Sequence, residues 1–246
     1  MTLSDLTILF LIAHLLADYH LQSERMAQDK RQSFTAVLRH SLVVALAYAA
    51  AAALAMLYGQ AATVLLAAAA LWATHLLADA AKALLQRRRA SPRAQGTLYL
   101  IDQAVHLALL LVIVEWAYPA LTGAAPLRSS YRDILKGVLL VVLITKPANI
   151  SFKVLFSRYQ LPAEDGTAGE TVPGAGALVG NLERLISVVF LYLGQYAALG
   201  LIYTAKSIAR FKQIEQNKRF AEYYLIGTLY SILYVLLAYL LTVVVL

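Results

Sequence analysis

The chain has 246 residues, of which 61% are apolar and only 14% charged, with a net charge of +7 and no cysteine. A soluble domain of this length needs far more polar surface. The lack of cysteine excludes disulfides and thiolate metal sites.

Runs of about 20 apolar residues recur, the length that crosses ~30 Å of hydrocarbon. Backbone polar groups must be satisfied internally in lipid, so these runs are expected to be helices. They are continuous and rich in Ala and Leu rather than alternating, which argues against an outer-membrane barrel. The expected fold is therefore all-α, a polytopic transmembrane bundle. The first apolar segment has no basic leader and no small-residue cleavage site, so it is expected to stay as a span. The positive charge sits mainly in short loops, which suits anionic headgroups of a lipid bilayer. No basic stripe with interleaved aromatics is present, so no nucleic-acid partner is expected.

Segment one runs from about Leu3 to Gln22, followed by a polar linker with Glu24, Arg25, Asp29, Lys30 and Arg31. Segment two covers about Val37 to Tyr58, and a turn at Gly59-Gln60 leads to segment three, about Ala61 to Leu85. A basic loop with Arg87, Arg88, Arg89 and Arg93 precedes segment four, about Leu98 to Tyr118. Segment five, about Ile134 to Phe156, is interrupted by Lys146-Pro147. Residues 158–179 are Gly-rich and acidic (Glu164, Asp165, Glu170) and read as an exposed loop. Segment six covers about Leu178 to Ala205, a basic loop 206–221 follows, and segment seven runs from about Tyr223 to Leu246. Residues 1–118 thus form a four-helix membrane half, and 119–246 a second half with the broken helix and both polar loops.

The Lys/Arg bias places loops 23–36 and 86–96 in the cytoplasm and the amino terminus outside. A full crossing by segment five would then put the basic loop 206–221 outside and the acidic loop 158–179 inside. A re-entrant segment five, broken at Lys146-Pro147, avoids this, because non-helical backbone is tolerated at depth inside protein. Six spans plus a re-entrant element is preferred over seven spans. The expected location is a bacterial inner membrane, crossed many times.

Four of the five histidines fall in a pattern. His14-Leu-Leu-Ala-Asp18 lies in segment one and His75-Leu-Leu-Ala-Asp79 in segment three, the same five residues. Asp102-Gln-Ala-Val-His106 in segment four reverses the order, and His40 opens segment two. Residues four apart share a helix face. Segments one and three run towards the cytoplasm and segment four away from it, so the reversal keeps the layers matched. Three aspartates lie near the cytoplasmic interface, and three histidines about 6 Å deeper at ~1.5 Å rise per residue.

Ionisable groups inside spans are expensive and usually functional. Imidazole with carboxylate suits a divalent transition metal such as zinc, manganese or iron. His14, Asp18, His40, His75, Asp79, Asp102 and His106 are enough ligands for one or two ions. Paired metals activate water and clamp a phosphoryl group. One aspartate among Asp18, Asp79 and Asp102 could then act as general base. Other readings stay open: a packing network between helices, a proton or ion pathway, or bis-histidine haem ligation, against which the aspartates argue. His20 lies off the His14–Asp18 face. Gln22 continues that face as an orienting group or an ordinary interfacial residue. Lys30, Lys82, Lys206 and Arg210 are basic candidates for holding a substrate phosphate, although juxtamembrane cations commonly snorkel.

The stretch His14-Leu-Leu-Ala-Asp18-Tyr-His-Leu-Gln22, with Lys30 and Leu38-Arg-His40, resembles the opening of a bacterial membrane family, domain of unknown function 3307. His75-Leu-Leu-Ala-Asp79, Lys82, Asp102-Gln103 and His106 continue the likeness. The carboxy half resembles the extension of many members through Leu182-Glu183-Arg184, Gln195-Tyr-Ala, Ala205-Lys206-Ser207, Arg210-Phe211, Glu222-Tyr223 and Ile226-Gly227-Thr228. The family carries no activity over. A looser resemblance to membrane-bound metal-dependent hydrolases supports the metal reading as analogy.

The expected function is a metal-dependent membrane hydrolase acting on a lipid or polyprenyl phosphate at the cytoplasmic leaflet. A metal-ion or proton-coupled transporter is one alternative, because the repeated motif hints at related helix pairs. A structural or partner-binding membrane protein with a polar packing network is the other.

Overall fold

The computed structural model describes residues 3–58, 60–86, 92–121, 129–160 and 174–246. The basic run Arg87–Arg89 and the acidic residues Glu164, Asp165 and Glu170 lie outside the described residues. The described residues contain no strand. The elements are α1 (Leu3–Leu15), continued by a π turn (Leu16–His20), then α2 (Glu24–Asp29), α3 (Phe34–Ala55), α4 (Ala61–Gln86) and α5 (Pro92–Ala117). They continue with α6 (Ser129–Ile144), α7 (Lys146–Leu155), α8 (Ala175–Tyr192), α9 (Tyr196–Ala209), α10 (Phe211–Gln216) and α11 (Lys218–Tyr239). Seven helical stretches are long and apolar enough to cross a bilayer: 3–20, 34–55, 61–86, 94–117, 130–155, 175–192 and 218–245. The protein is an all-α, multi-pass helical bundle. It divides into two compact units, Met1–Val142 and Leu143–Val245.

In the first unit α1 is the central element. Leu6, Phe10, Ala13 and Ala17 on α1 and its π turn pack with Val44, Tyr48 and Ala52 of α3, Val64 and Leu71 of α4, and Leu110 and Val114 of α5. Alanine at Ala51, Ala52, Ala55 and Ala68 lets the backbones approach closely, as small residues do where lipid gives no hydrophobic drive. The polarity is inverted relative to a soluble protein. His40 and Asp5 are fully buried, while Leu46 is 72% and Leu77 69% exposed. Exposed leucine on this scale fits a hydrocarbon surround. The buried Asp5 is met by Arg132 of α6, whose Nε lies 2.7 Å from its Oδ1.

In the second unit, segment six is not one helix. It is α8 and α9 joined by a turn at Gly194, whose φ is +67°. Gln195 N–H reaches the Phe190 carbonyl at 2.9 Å and Gly194 N–H the Leu191 carbonyl at 3.1 Å. These are the two bonds of a Schellman motif, which needs a left-handed residue at that position. Lys206 then meets Glu183, and one turn on Tyr203 meets Ser187, so α9 runs antiparallel to α8. Arg184 meets Ser231 and Tyr192 meets Tyr239, so α11 runs parallel to α8.

The hairpin bears on one part of the conflict behind the re-entrant reading of segment five, the side on which the basic stretch after Lys206 falls. That part required segment six to be a single crossing. With α9 doubling back, the basic stretch that begins at Lys206 returns to the end where α8 starts. The break in segment five is confined to Thr145, and 130–155 remains long enough to cross. Replacing Gly194 with alanine is expected to cost about 1 kcal/mol, because a Cβ is unfavourable at positive φ. Equilibrium unfolding in detergent measures this, and an unchanged stability would count against the turn.

Candidate metal centre

Four helices and one short connector build a buried polar cluster in the first unit. α1 and its π turn carry His14 and Asp18, α3 carries His40, α4 carries His75, Asp79 and Lys82, and α5 carries Asp102, Gln103 and His106. All four histidines and both Asp79 and Asp102 are more than nine-tenths buried. The π turn over Leu16–His20 sits at Asp18 itself, and such single-turn widenings recur at functional sites. It is braced by Tyr19, whose hydroxyl is 2.7 Å from that of Tyr99. α4 is keyed to α3 beside His40 by the Trp72 indole N–H, which donates to Ser41 Oγ at 2.7 Å.

Asp18 lies at the centre. Its Oδ1 is 3.1 Å from His40 Nε2 and 3.2 Å from His75 Nε2, and those two nitrogens are 3.4 Å apart. His14 Nε2 stands 3.9 Å from the other oxygen, Oδ2. Asp79 Oδ2 lies 3.5 Å from His40 Nε2 and 3.7 Å from His75 Nε2. The His75 ring is 4.2 Å from that of His106, and His14 stacks on His106 at 5.3 Å between centroids. The two expected layers are therefore in contact, because side chains bridge the ~6 Å between their backbones.

The donors form three groups whose ligand atoms lie within 4.8 Å of one another: His14, Asp18 and His75; His40, His75 and Asp79; and Asp79, Asp102 and His106. A tetrahedral ion with bonds of about 2.0–2.1 Å separates its ligands by roughly 3.3–3.4 Å. The Asp18, His40 and His75 triangle, with edges of 3.1, 3.2 and 3.4 Å, matches that spacing. Without a cation, two imidazole nitrogens share one carboxylate oxygen and stand within 3.4 Å of each other. With one, two imidazole lone pairs and a carboxylate converge. His40 Nδ1 and His75 Nδ1 have no partner among the described residues, so helix packing rather than an outer hydrogen bond sets these rings.

Lysines complete the cluster. Lys30 caps α2, a short helix started by Ser23, whose Oγ accepts from Met26 N–H. Its Nζ bonds Asp79 Oδ2 at 2.8 Å. Lys82 Nζ bonds Asp102 Oδ2 at 2.6 Å, and Gln103 Nε2 donates to the same oxygen at 3.0 Å. Three carboxylates against two ammoniums leave one carboxylate that no lysine matches. A buried unmatched carboxylate favours a cation.

The remaining candidates are not among these donors. Gln22 sits half-buried in the bend beyond the π turn, because the helix stops at His20. His20 likewise stays outside the three groups. Lys206 and Arg210 belong to the second unit, where Lys206 pairs with Glu183 at 2.7 Å and Arg210 bonds the neighbouring Gln213. The roles of Gln103, Tyr99 and Trp72 were not visible in the motif spacing. Each depends on contacts between helices.

Residues 6–130 match the family described as "Protein of unknown function (DUF3307)". No curated protein and no solved structure matches the chain. The matched stretch contains every residue of the cluster, from His14 to His106, and covers half of the sequence. The chain belongs to the DUF3307 family.

Proposed function

We propose that this protein is a metal-dependent membrane hydrolase that cleaves a phosphate ester of a lipid or polyprenyl substrate at the cytoplasmic leaflet. The Asp18–His40–His75 triangle carries the reading, since its edges fit the ligand spacing of a small divalent ion. Zinc, manganese and iron all suit this donor set. An ion held there supplies Lewis acidity and lowers the pKa of a water. Asp102 is the proton acceptor. Its Oδ2 is fixed by Lys82 and Gln103, which leaves Oδ1 to receive the proton. As water oxygen bonds to phosphorus, the ester P–O bond breaks. The proton held by Asp102 passes to the leaving oxygen. One divalent ion outweighs the unmatched carboxylate, which favours an anionic substrate. The surrounding exposed leucines suit a substrate that arrives through the bilayer.

Protein purified without chelator or a nickel column is expected to carry transition metal. It is also expected to release phosphate or alcohol from a panel of phospholipids and isoprenyl phosphates, and to lose turnover with a chelator. Metal-bound protein inert on the whole panel would overturn the hydrolase assignment.

A transporter is the second reading, favoured by the second unit. α8 and α9 are discontinuous at Gly194, and Glu183, Arg184 and Lys206 are charged groups on that hairpin. Broken helices with polar ends line transporter sites. Metal-dependent uptake into proteoliposomes supports this reading, and its absence alongside hydrolysis excludes it.

A further inference from the structure

We infer that the cluster holds a second divalent cation beside the first, on Asp79, Asp102 and His106, with Asp79 shared between the two positions. The inference rests on the metal reading above and specifies the organisation of that site.

Three observations point to it. The first is grouping. Asp79 belongs both to the set with His40 and His75 and to the set with Asp102 and His106, each gathered within 4.8 Å. A carboxylate common to two ligand sets is the natural bridge between two ions, and paired catalytic ions sit about 3.5–4 Å apart. The second is His106. Its Nδ1 lies 2.8 Å from the Asp102 carbonyl, which only accepts, so Nδ1 is the donor. The Nε2 lone pair is then left bare. It is buried and has no partner among the described residues, on a side chain only 5% exposed. A backbone carbonyl that fixes the tautomer and frees the other nitrogen is the usual setting of a metal-ligating histidine.

The third is the placement of positive charge. The Lys30 ammonium lies 2.8 Å from Asp79 Oδ2 and that of Lys82 2.6 Å from Asp102 Oδ2. Both carboxylates of this second set therefore already hold a cation. Lys30 and Lys82 keep 14% and 25% of their side chains exposed, so they have room to withdraw when an ion takes the carboxylates, and an ion in place of Lys82 on Asp102 Oδ2 would still leave Oδ1 to receive the proton. Against one unmatched carboxylate, two divalent ions would leave three positive charges. A phosphate monoester dianion offsets two of those charges, where a diester offsets one. The freed ammoniums would face that phosphate. The substrate class is therefore a terminal phosphate monoester rather than a diester.

Manganese-loaded protein, examined by elemental analysis and electron paramagnetic resonance, tests this without any assay of turnover. Two ions per chain with an exchange-coupled spectrum are expected. His106→Ala is expected to retain one ion with the six-line signal of isolated manganese. Asp102→Asn, which keeps a partner for Lys82, should behave in the same way. One ion in the unaltered protein, or two in both variants, would overturn the second position and leave the first intact. No ion in any sample would remove both the second position and the proposed function. Hydrolysis without the coupled signal would leave the enzyme reading standing alone.

Discussion

Replacement of His75 with leucine is expected to abolish metal binding and with it all metal-dependent turnover. His75 is the most connected member of the cluster. Its Nε2 is 3.2 Å from Asp18, 3.4 Å from His40 and 3.7 Å from Asp79. It belongs to two of the three ligand groups. A cation present at about 100 times its Kd stabilises the folded state by about 2.7 kcal/mol. The variant should forfeit that amount and become insensitive to chelator, while the unaltered protein loses it on chelation. The same comparison separates the metal reading from a packing network. In a packing network, leucine would leave Asp18 and Asp79 with one partner fewer and would destabilise as well, but chelator would then change neither protein, so the chelator dependence of the parent is what separates the two readings. Thermal unfolding in detergent, with and without chelator, gives the answer. A metal-supplemented parent whose stability chelator leaves unchanged would sink the metal reading.

The cluster was legible in the sequence because two regularities coincide in it. Ionisable residues are rare in apolar runs, so His14, Asp18, His75, Asp79, Asp102 and His106 stand out against leucine and alanine. The four-residue spacing and its reversal in α5 then assign them to one level. Lys30 was legible only as a nearby cation. Its bond to Asp79 depends on how the short α2 turns the chain back, and no periodicity records that. The π turn at Asp18 was also invisible, since no local propensity distinguishes it from α-helix.

Segment six shows a different limit. Leu193-Gly194-Gln195 has the composition of a helix stop, but glycine is common within membrane helices. The hydropathy is nearly continuous across the turn, and so a hairpin reads as one long span. Its true signal lay in the pairing of polar residues across it, Glu183 with Lys206 and Ser187 with Tyr203. That signal becomes readable only once the reversal is known. The likeness of the first half to its family bore on residues whose spacing is local. In the second half, the polar groups that matter to each other are separated by the hairpin or by the break in segment five.

Replacement of Arg184 with methionine is expected to destabilise the protein by about 3–5 kcal/mol, because several buried acceptors lose a shared charged donor at once. The cause is the break between α6 and α7. Thr145 leaves helical geometry with φ −97° and ψ −109°, which interrupts the helix just after Ile144. The Ile144 carbonyl takes a bond from Arg184 Nε. The same guanidinium donates to Asn149 Oδ1 at 2.6 Å, Asn181 Oδ1 at 2.9 Å and Ser231 Oγ at 3.3 Å. Asn149 Nδ2 closes the ring on Asn181 at 2.9 Å. Arg184 is only 4% exposed, and a Cβ on Gly180 would come 3.2 Å from Nη1, so glycine there gives the guanidinium its space. Methionine would fill part of that volume but leave a carbonyl and two amide oxygens with fewer donors, each at about 1–3 kcal/mol when unsatisfied. Lysine would keep the charge without the fork and should fall between the two. Arg210→Met is the control, since Arg210 is exposed, bonds its neighbour Gln213 on the same stretch and should change stability by less than about 0.5 kcal/mol. At roughly 2–4 °C per kcal/mol for a chain of this size, the Arg184 variant should melt about 10 °C lower. Equal melting temperatures for the two variants would mean that the break in segment five is held by something other than this arginine.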